Sequence, residues 1–201
     1  MISPPPVTHQ PTHQPTTVTT SNVKGHFKVQ APVTLPDCLK DYVICHNNYW
    51  MVRPPHPIFR KLVYTVFYSS GHINVSGIKD FDDCDHAQLL FEQLFNVASV
   101  SQFCIDNSTS TGQLCMTSNS INLSKLKLTE NIDTYFAFPC TVSLRPHYFP
   151  GALIRPAKIT HEICTSILFS NGKFNIVGAK HPAQVARTVH NLQQMAYRVF
   201  L

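Results

Sequence analysis

The feature that most constrains this chain is a spacing that occurs twice. Gly71, Gly77 and Lys79 form a Gly-x5-Gly-x-Lys motif, and Gly172, Gly178 and Lys180 repeat it without a gap, 101 residues later. In a chain of 201 residues that interval is about half the length, so the sequence is an internal duplication of one structural unit. Around both motifs the residues alternate as a half-buried strand requires. Ile73, Val75, Phe174 and Ile176 fall on one face, and Asn74, Ser76, Asn175 and Val177 on the other. The second motif opens at Ser170-Asn171-Gly172, a turn whose glycine takes positive φ without steric cost.

Each copy reads as a strand, a short helix, a strand meander and a long helix. In the first, a strand is expected over 22–31, and Thr34-Leu35-Pro36-Asp37 reads as a capping-box-like start of a helix over 35–45. Strands follow at Tyr49–Arg53, Phe59–Tyr68 and His72–Ser76. Asp80, Asp82, Asp83 and Asp85 then precede Leu89, Leu90, Phe91, Leu94 and Phe95, an amphipathic helix whose positive end is met by acid. The second copy predicts a strand over 101–113, a helix over 122–128 and strands near 135–144, 150–157, 161–169 and 173–178. Its final helix opens at His181-Pro182 and shows an apolar face of Val185, Val189, Leu192, Ala196 and Val199. The expected fold class is α+β: one long antiparallel sheet made by two tandem repeats, with helices on one face and the other open. The repeats are assigned to 21–98 and 99–201. Residues 1–20, mostly Pro, Thr, Gln and His, are read as a disordered tail too polar to offset its ordering entropy. The plainest reading of such a fold is a structural module with an ordinary wet face.

Only 13% of residues are charged, and the net charge of +5 is uneven. Seven Lys/Arg and seven Asp/Glu cancel within 21–98, whereas nine face four within 99–201, making the second half the anion-seeking one. The seven cysteines form no C-x-x-C pair, and neither a signal peptide nor an apolar run of membrane-spanning length is present. A soluble protein with free thiols in a reducing compartment is expected. Cys45-His46, Cys84-Asp85-His86 and His161-x2-Cys164 could supply metal ligands, yet none has four-ligand spacing. No metal, cofactor or catalytic constellation is predicted, and the chain is not expected to be an enzyme.

Phe149-Pro150-Gly151-x3-Arg155 and Phe169-x2-Gly172-Lys173-x4-Gly178-Ala179-Lys180 are similar to the TATA-box-binding protein family. Tyr68-Ser69-Ser70-Gly71 and Gly77-Ile78-Lys79 carry a weaker copy. Asn107 through Leu114 resembles the Asn-led first strand of a family repeat, and Asn22-Val23-Lys24-Gly25 does so more faintly. The resemblance spans about 22 to 195. It implies a pseudo-symmetric saddle whose concave sheet binds and kinks duplex DNA from the minor groove.

On that resemblance, Phe149 and Phe169 are intercalating wedges, the alternative being core aromatics. In the first copy Tyr68 takes the strand-end position, with its partner among Trp50 and Tyr49. Asn22 and Asn107 would read the groove floor, joined by Asn74, Ser76, Asn175 and Val177, while Arg53, Arg155, Lys79, Lys173 and Lys180 would contact phosphates. Ser76 and Val177 replace the family's small threonines, and Asn74 and Asn175 its valine-type positions, which loosens or shifts A·T selectivity. The four-Asp helix start stands where the family is generally basic, so partner binding there should differ. The implied partners are an A·T-rich promoter duplex and initiation proteins of the transcription factor IIB type, or viral equivalents. A monomer on DNA, no membrane contact, and a nuclear or viral transcription site are expected of a diverged member such as large DNA viruses carry. The alternative keeps the fold as a protein-interaction platform in a transcription complex, with little or no DNA binding.

Overall fold

The computed structural model describes residues 16–116, 120–128, 139–157 and 162–200. They form one ten-stranded antiparallel sheet that does not close on itself. Two long strands, β1 (Val18–Lys28) and β6 (Cys104–Gln113), lie side by side at its centre. Outward from β1 come β5 (His72–Ile78), β4 (Val63–Phe67), β3 (Trp50–Val52) and β2 (Val43–Cys45). Outward from β6, in the same order, come β10 (Lys173–Val177), β9 (Thr165–Phe169), β8 (Gly151–Pro156) and β7 (Cys140–Leu144). The duplication in the sequence is thus a two-fold repetition about the β1/β6 seam. Among the described residues the α-helices are α1 (Cys84–Phe95), α2 (Ser124–Leu128) and α3 (Pro182–Phe200). Among the described residues, no helix is long and apolar enough to cross a membrane.

Each half has its own core, built on the strand face that the alternation assigns to burial. Ile73, Val75, Phe174 and Ile176 are all buried, while Asn74, Ser76, Asn175 and Val177 lie on the open face. The first core is aromatic: Phe91 meets Phe27 edge-on at 5.4 Å, meets Tyr64 at 5.1 Å, and stacks on Phe95 at 4.2 Å. The second is aliphatic, with Val185, Val189, Leu192, Met195 and Ala196 of α3 set over Ile154, Leu168, Phe174 and Ile176. Full burial of a side chain of this size contributes about 1.5–3 kcal/mol, so these two clusters dominate the stability of the sheet.

Tyr64 is fully buried, and its hydroxyl donates to the Ala87 carbonyl at 2.6 Å, tying β4 to α1. Burial pushes its phenol pKa well up, so it remains a neutral donor at any ordinary pH. Tyr64→Phe removes this tie but leaves the Ala87 carbonyl its helical partner, so it should cost about 0.5–1.5 kcal/mol in urea unfolding, with unchanged m-value.

Local capping fixes where the helices begin. Asp80 Oδ1 accepts from the Phe81 N–H at 2.6 Å, capping a short 3₁₀ turn (Phe81–Asp83) that runs into α1. Gln184, third residue of α3, reaches back to accept from the backbone N–H of Lys180 (2.7 Å) and His181 (3.2 Å). With Pro182 opening the helix, this satisfies donors that would otherwise lack partners.

Three expectations are corrected. The first strand starts at Val18, so Val18–Thr20, assigned to the tail, pair with Gly112, Thr111 and Ser110. Residues 1–15 lie outside the described residues, as do 135–138 and 161 of two expected strands. The helix over 35–45 is only a 3₁₀ segment, Asp37–Tyr42. Its N-cap is Pro36, which has no side-chain acceptor, and Leu39 is its one buried residue. Val43–Cys45, expected in that helix, instead pair with β3 as an edge strand. Finally, β4 begins at Val63 rather than Phe59, because Leu62 N–H closes a turn onto the Phe59 carbonyl.

Candidate nucleic-acid interface

The open face is organised about two asparagines on the central strands. Asn22 Oδ1 accepts from the Gly77 N–H at 3.1 Å, and Asn107 Oδ1 accepts from the Gly178 N–H at 2.9 Å. Gly77 and Gly178 have positive φ of 85° and 95°, a conformation that presents each N–H to the neighbouring strand and that glycine adopts freely. The duplicated second glycine of the motif therefore fixes the asparagine amide. An amide whose oxygen is held this way has its NH₂ left as a donor. Thr109 stands opposite both Asn22 and Val177, and Thr111 opposite Asn175, so the floor beside Asn107 is small and weakly polar. Asn74 and Ser76 line the same face on β5, in a shallow hollow with Lys24, Thr65 and Asn107.

A pair of aromatic rings stands at each end of this floor. Phe149 and Phe169 lie 5.9 Å apart, outside both cores, with Phe149 42% exposed. They fit because Gly151 faces Phe169 across the strands: a Cβ there would lie 2.8 Å from the Phe149 ring and 3.2 Å from the Phe169 ring.

At the other end the structure replaces the expected pair. Trp50 stands directly opposite the buried Val66, and Trp50 and Tyr68 stack at 4.8 Å while packing on the first core, not on the open face. The Tyr68 hydroxyl is also engaged, donating to the Asn47 carbonyl at 2.7 Å. Phe67 takes the open face instead, paired with His72, and Tyr49 lies against it at 5.5 Å. The reason is one extra residue. Four residues link Phe67 to His72, but three link Phe169 to Lys173, so the constant offset of 101 fails at the turn. A shift of one residue along a strand reverses which face a side chain meets.

Exposed cations surround the rings and the asparagines. Lys173 pairs with Gln113 on the open face, and Arg155 alternates with the buried Ile154 beside Leu153. Arg53 follows β3, and Lys79 and Lys180 stand at the rim where β5 and β10 turn toward the helices. The sequence reading missed Lys24, His26 and Lys28, which alternate with buried Val23, Gly25 and Phe27, so that the two lysines add charge to the middle of the open face. That alternation lies inside the strand expected over 22–31 and was open to the same reading as the motif strands. Two of the proposed metal-ligand cysteines are core residues: burial, then the charge of Asp85, pushes the Cys84 thiol up to about 12, and burial raises Cys164. His161 lies outside the described residues.

The model of the family described as transcription factor TFIID, or TATA-binding protein (TBP), matches residues 102–198. Among solved structures, TBP from Methanococcus jannaschii matches with a TM-score of 0.68 and 17% sequence identity, covering 90% of this chain and 99% of that one. No curated protein sequence matches. The chain is a TBP-like protein.

The ten-stranded sheet is therefore the TBP saddle, and its open face is the concave one. The family match falls on the TBP-like chain's second half, which carries Phe149, Gly151, Phe169 and the better-kept glycine motif. The first half differs from the second at its tip. There Tyr49 and Phe67 stand in for the expected ring pair, and His46 stacks on Tyr49 at 4.4 Å.

Proposed function

We propose that this TBP-like protein is a transcription factor that binds duplex DNA from the minor groove with its concave face and bends it, nucleating an initiation complex. The observation that carries the reading is the pair Asn22 and Asn107, each locked by a glycine N–H with its NH₂ group left to donate. The minor groove of A·T pairs offers acceptors alone, whereas guanine adds an amino donor. Two fixed donors at the centre of the sheet match the first pattern and oppose the second. Phe149 with Phe169, and Tyr49 with Phe67, act as wedges between base steps, while Arg53, Arg155, Lys24, Lys28, Lys79, Lys173 and Lys180 hold phosphates. Asn74, Ser76, Asn175 and Val177 complete the floor. Partners of the transcription factor IIB type, or viral equivalents, assemble on the monomer at its nuclear or viral transcription site. Exposed Asp82 and Asp85 at the start of α1 set that half apart from its basic counterpart.

The test is an electrophoretic mobility assay with the full chain on A·T-rich and G·C-rich duplexes of equal length. Retention of the A·T-rich duplex at lower protein concentration is expected; equal retention would remove the A·T preference, and absent retention of both would favour an interaction platform. Asn107→Ala provides a clean probe, because Gly178 N–H also donates to the Ser108 carbonyl at 3.0 Å and keeps a partner. The variant should unfold like the parent yet lose about 1–3 kcal/mol of affinity for the A·T-rich duplex.

A further inference from the structure

The concave face holds one group that DNA binding does not explain. Asp106 is an exposed carboxylate on a face otherwise rich in cations, and both its oxygens lie against His26 Nδ1, at 2.9 and 3.0 Å. His26 pairs directly with Cys104 across the β1/β6 seam, so the two side chains share a face. Strict alternation would send Asp106 to the opposite face from Asn107. The register instead slips between Lys24 and Gly25, and this bulge re-aims the carboxylate at His26. One ligand atom each from His26, Cys104 and Asp106 then lies within 4.8 Å of the others. The His72 ring stands 5.1 Å from that of His26.

We infer that His26, Cys104 and Asp106 form a zinc site at the seam between the two repeats. Imidazole nitrogen, thiolate and carboxylate are a zinc donor set, and three protein ligands leave a fourth position, which falls to His72 or to a water. Ligand atoms about 2.0–2.3 Å from a tetrahedral ion sit about 3.3–3.8 Å apart. Closing from 4.8 Å therefore needs only side-chain rotation of partly or fully exposed residues, with the strand backbone left in place. The metal enters where Nδ1 now meets Asp106. The imidazole keeps its one proton by moving it to Nε2, and the Cys104 thiol releases its proton to water. A zinc ion held by one thiolate, one carboxylate and a neutral imidazole is a neutral complex, so the Asp106 carboxylate no longer repels phosphate. That last consequence rests on the DNA-binding reading; the metal site itself does not.

The test uses the full chain, reduced and stripped with chelator, then titrated with cobalt(II) alone as an optical probe. A thiolate-to-cobalt charge-transfer band that saturates at one equivalent and is quenched by zinc is expected. Cys104→Ser should abolish the band while circular dichroism stays parent-like, since the residue is exposed. Cys115→Ser, which alters another exposed thiol, should retain it. His26→Gln with Asp106→Asn should weaken cobalt binding by about tenfold or more, and it serves as the second variant should Cys104→Ser misfold. Absence of the band in the parent, or its survival in Cys104→Ser, overturns the site irrespective of any DNA measurement.

Discussion

Replacing Phe149 and Phe169 together by alanine should leave the protein folded and still attached to duplex DNA, but with the bend at that end of the site lost. Both rings lie outside the cores, lean on each other at 5.9 Å and rest over Gly151, so their removal opens no internal cavity. Unstacking a base step costs a few kcal/mol, and the bend persists only while something holds the step open and further protein surface gains contact. Electrostatic attachment through the surrounding cations needs neither ring. Energy transfer between dyes at the two ends of a duplex should therefore fall part-way toward the free-DNA value, because Tyr49 and Phe67 still act at the opposite end. The matching change, Tyr49→Ala with Phe67→Ala, should produce the complementary loss. Tyr68→Phe should alter bending little, since its hydroxyl serves Asn47 and its ring packs with Trp50 on the helix side. Parent-like bending in the double variant would mean these rings are not wedges.

The second large effect concerns charge. Arg155, Lys173 and Lys180 all belong to the half with excess positive charge, and all three are exposed. Neutralising them together should weaken binding to every sequence alike. Removing one cation from a phosphate should flatten the dependence of log affinity on log salt by about 0.9, so the three together should flatten it by about 2.7. Arg53→Ala with Lys79→Ala should cost less, because the first half's cations are balanced by its Asp cluster. Equal losses from the two sets would remove the charge asymmetry from the account.

The repetition, the strand order and the face of each strand around Gly77 and Gly178 were legible in the sequence, because period-two alternation and glycine spacing are local signals. The two asparagines were singled out by the family resemblance of the residues around them, and each lies within one of the two central strands. What sets their amides was not legible: the Gly77 and Gly178 N–H groups come from 55 and 71 residues away. The first ring pair was misread for a physical reason. A turn one residue longer changes no local propensity, yet it reverses the face on which Phe67 and Tyr68 fall. The His26–Asp106 contact, 80 residues apart, depends on a bulge in the pairing of β1 with β6, and nothing in either strand alone announces it. The short helix over 35–45 failed because a capping pattern without a buried stripe does not sustain an α-helix against competing strand pairing.

The most direct measurement of the central claim replaces guanine by inosine in a G·C-containing site. An inosine–cytosine pair keeps the major-groove donors and acceptors of G·C but lacks the minor-groove amino group. If Asn22 and Asn107 meet the minor groove, affinity for the inosine duplex should rise to that of the A·T-rich duplex. Affinity that stays at the G·C value would contradict minor-groove recognition by the concave face.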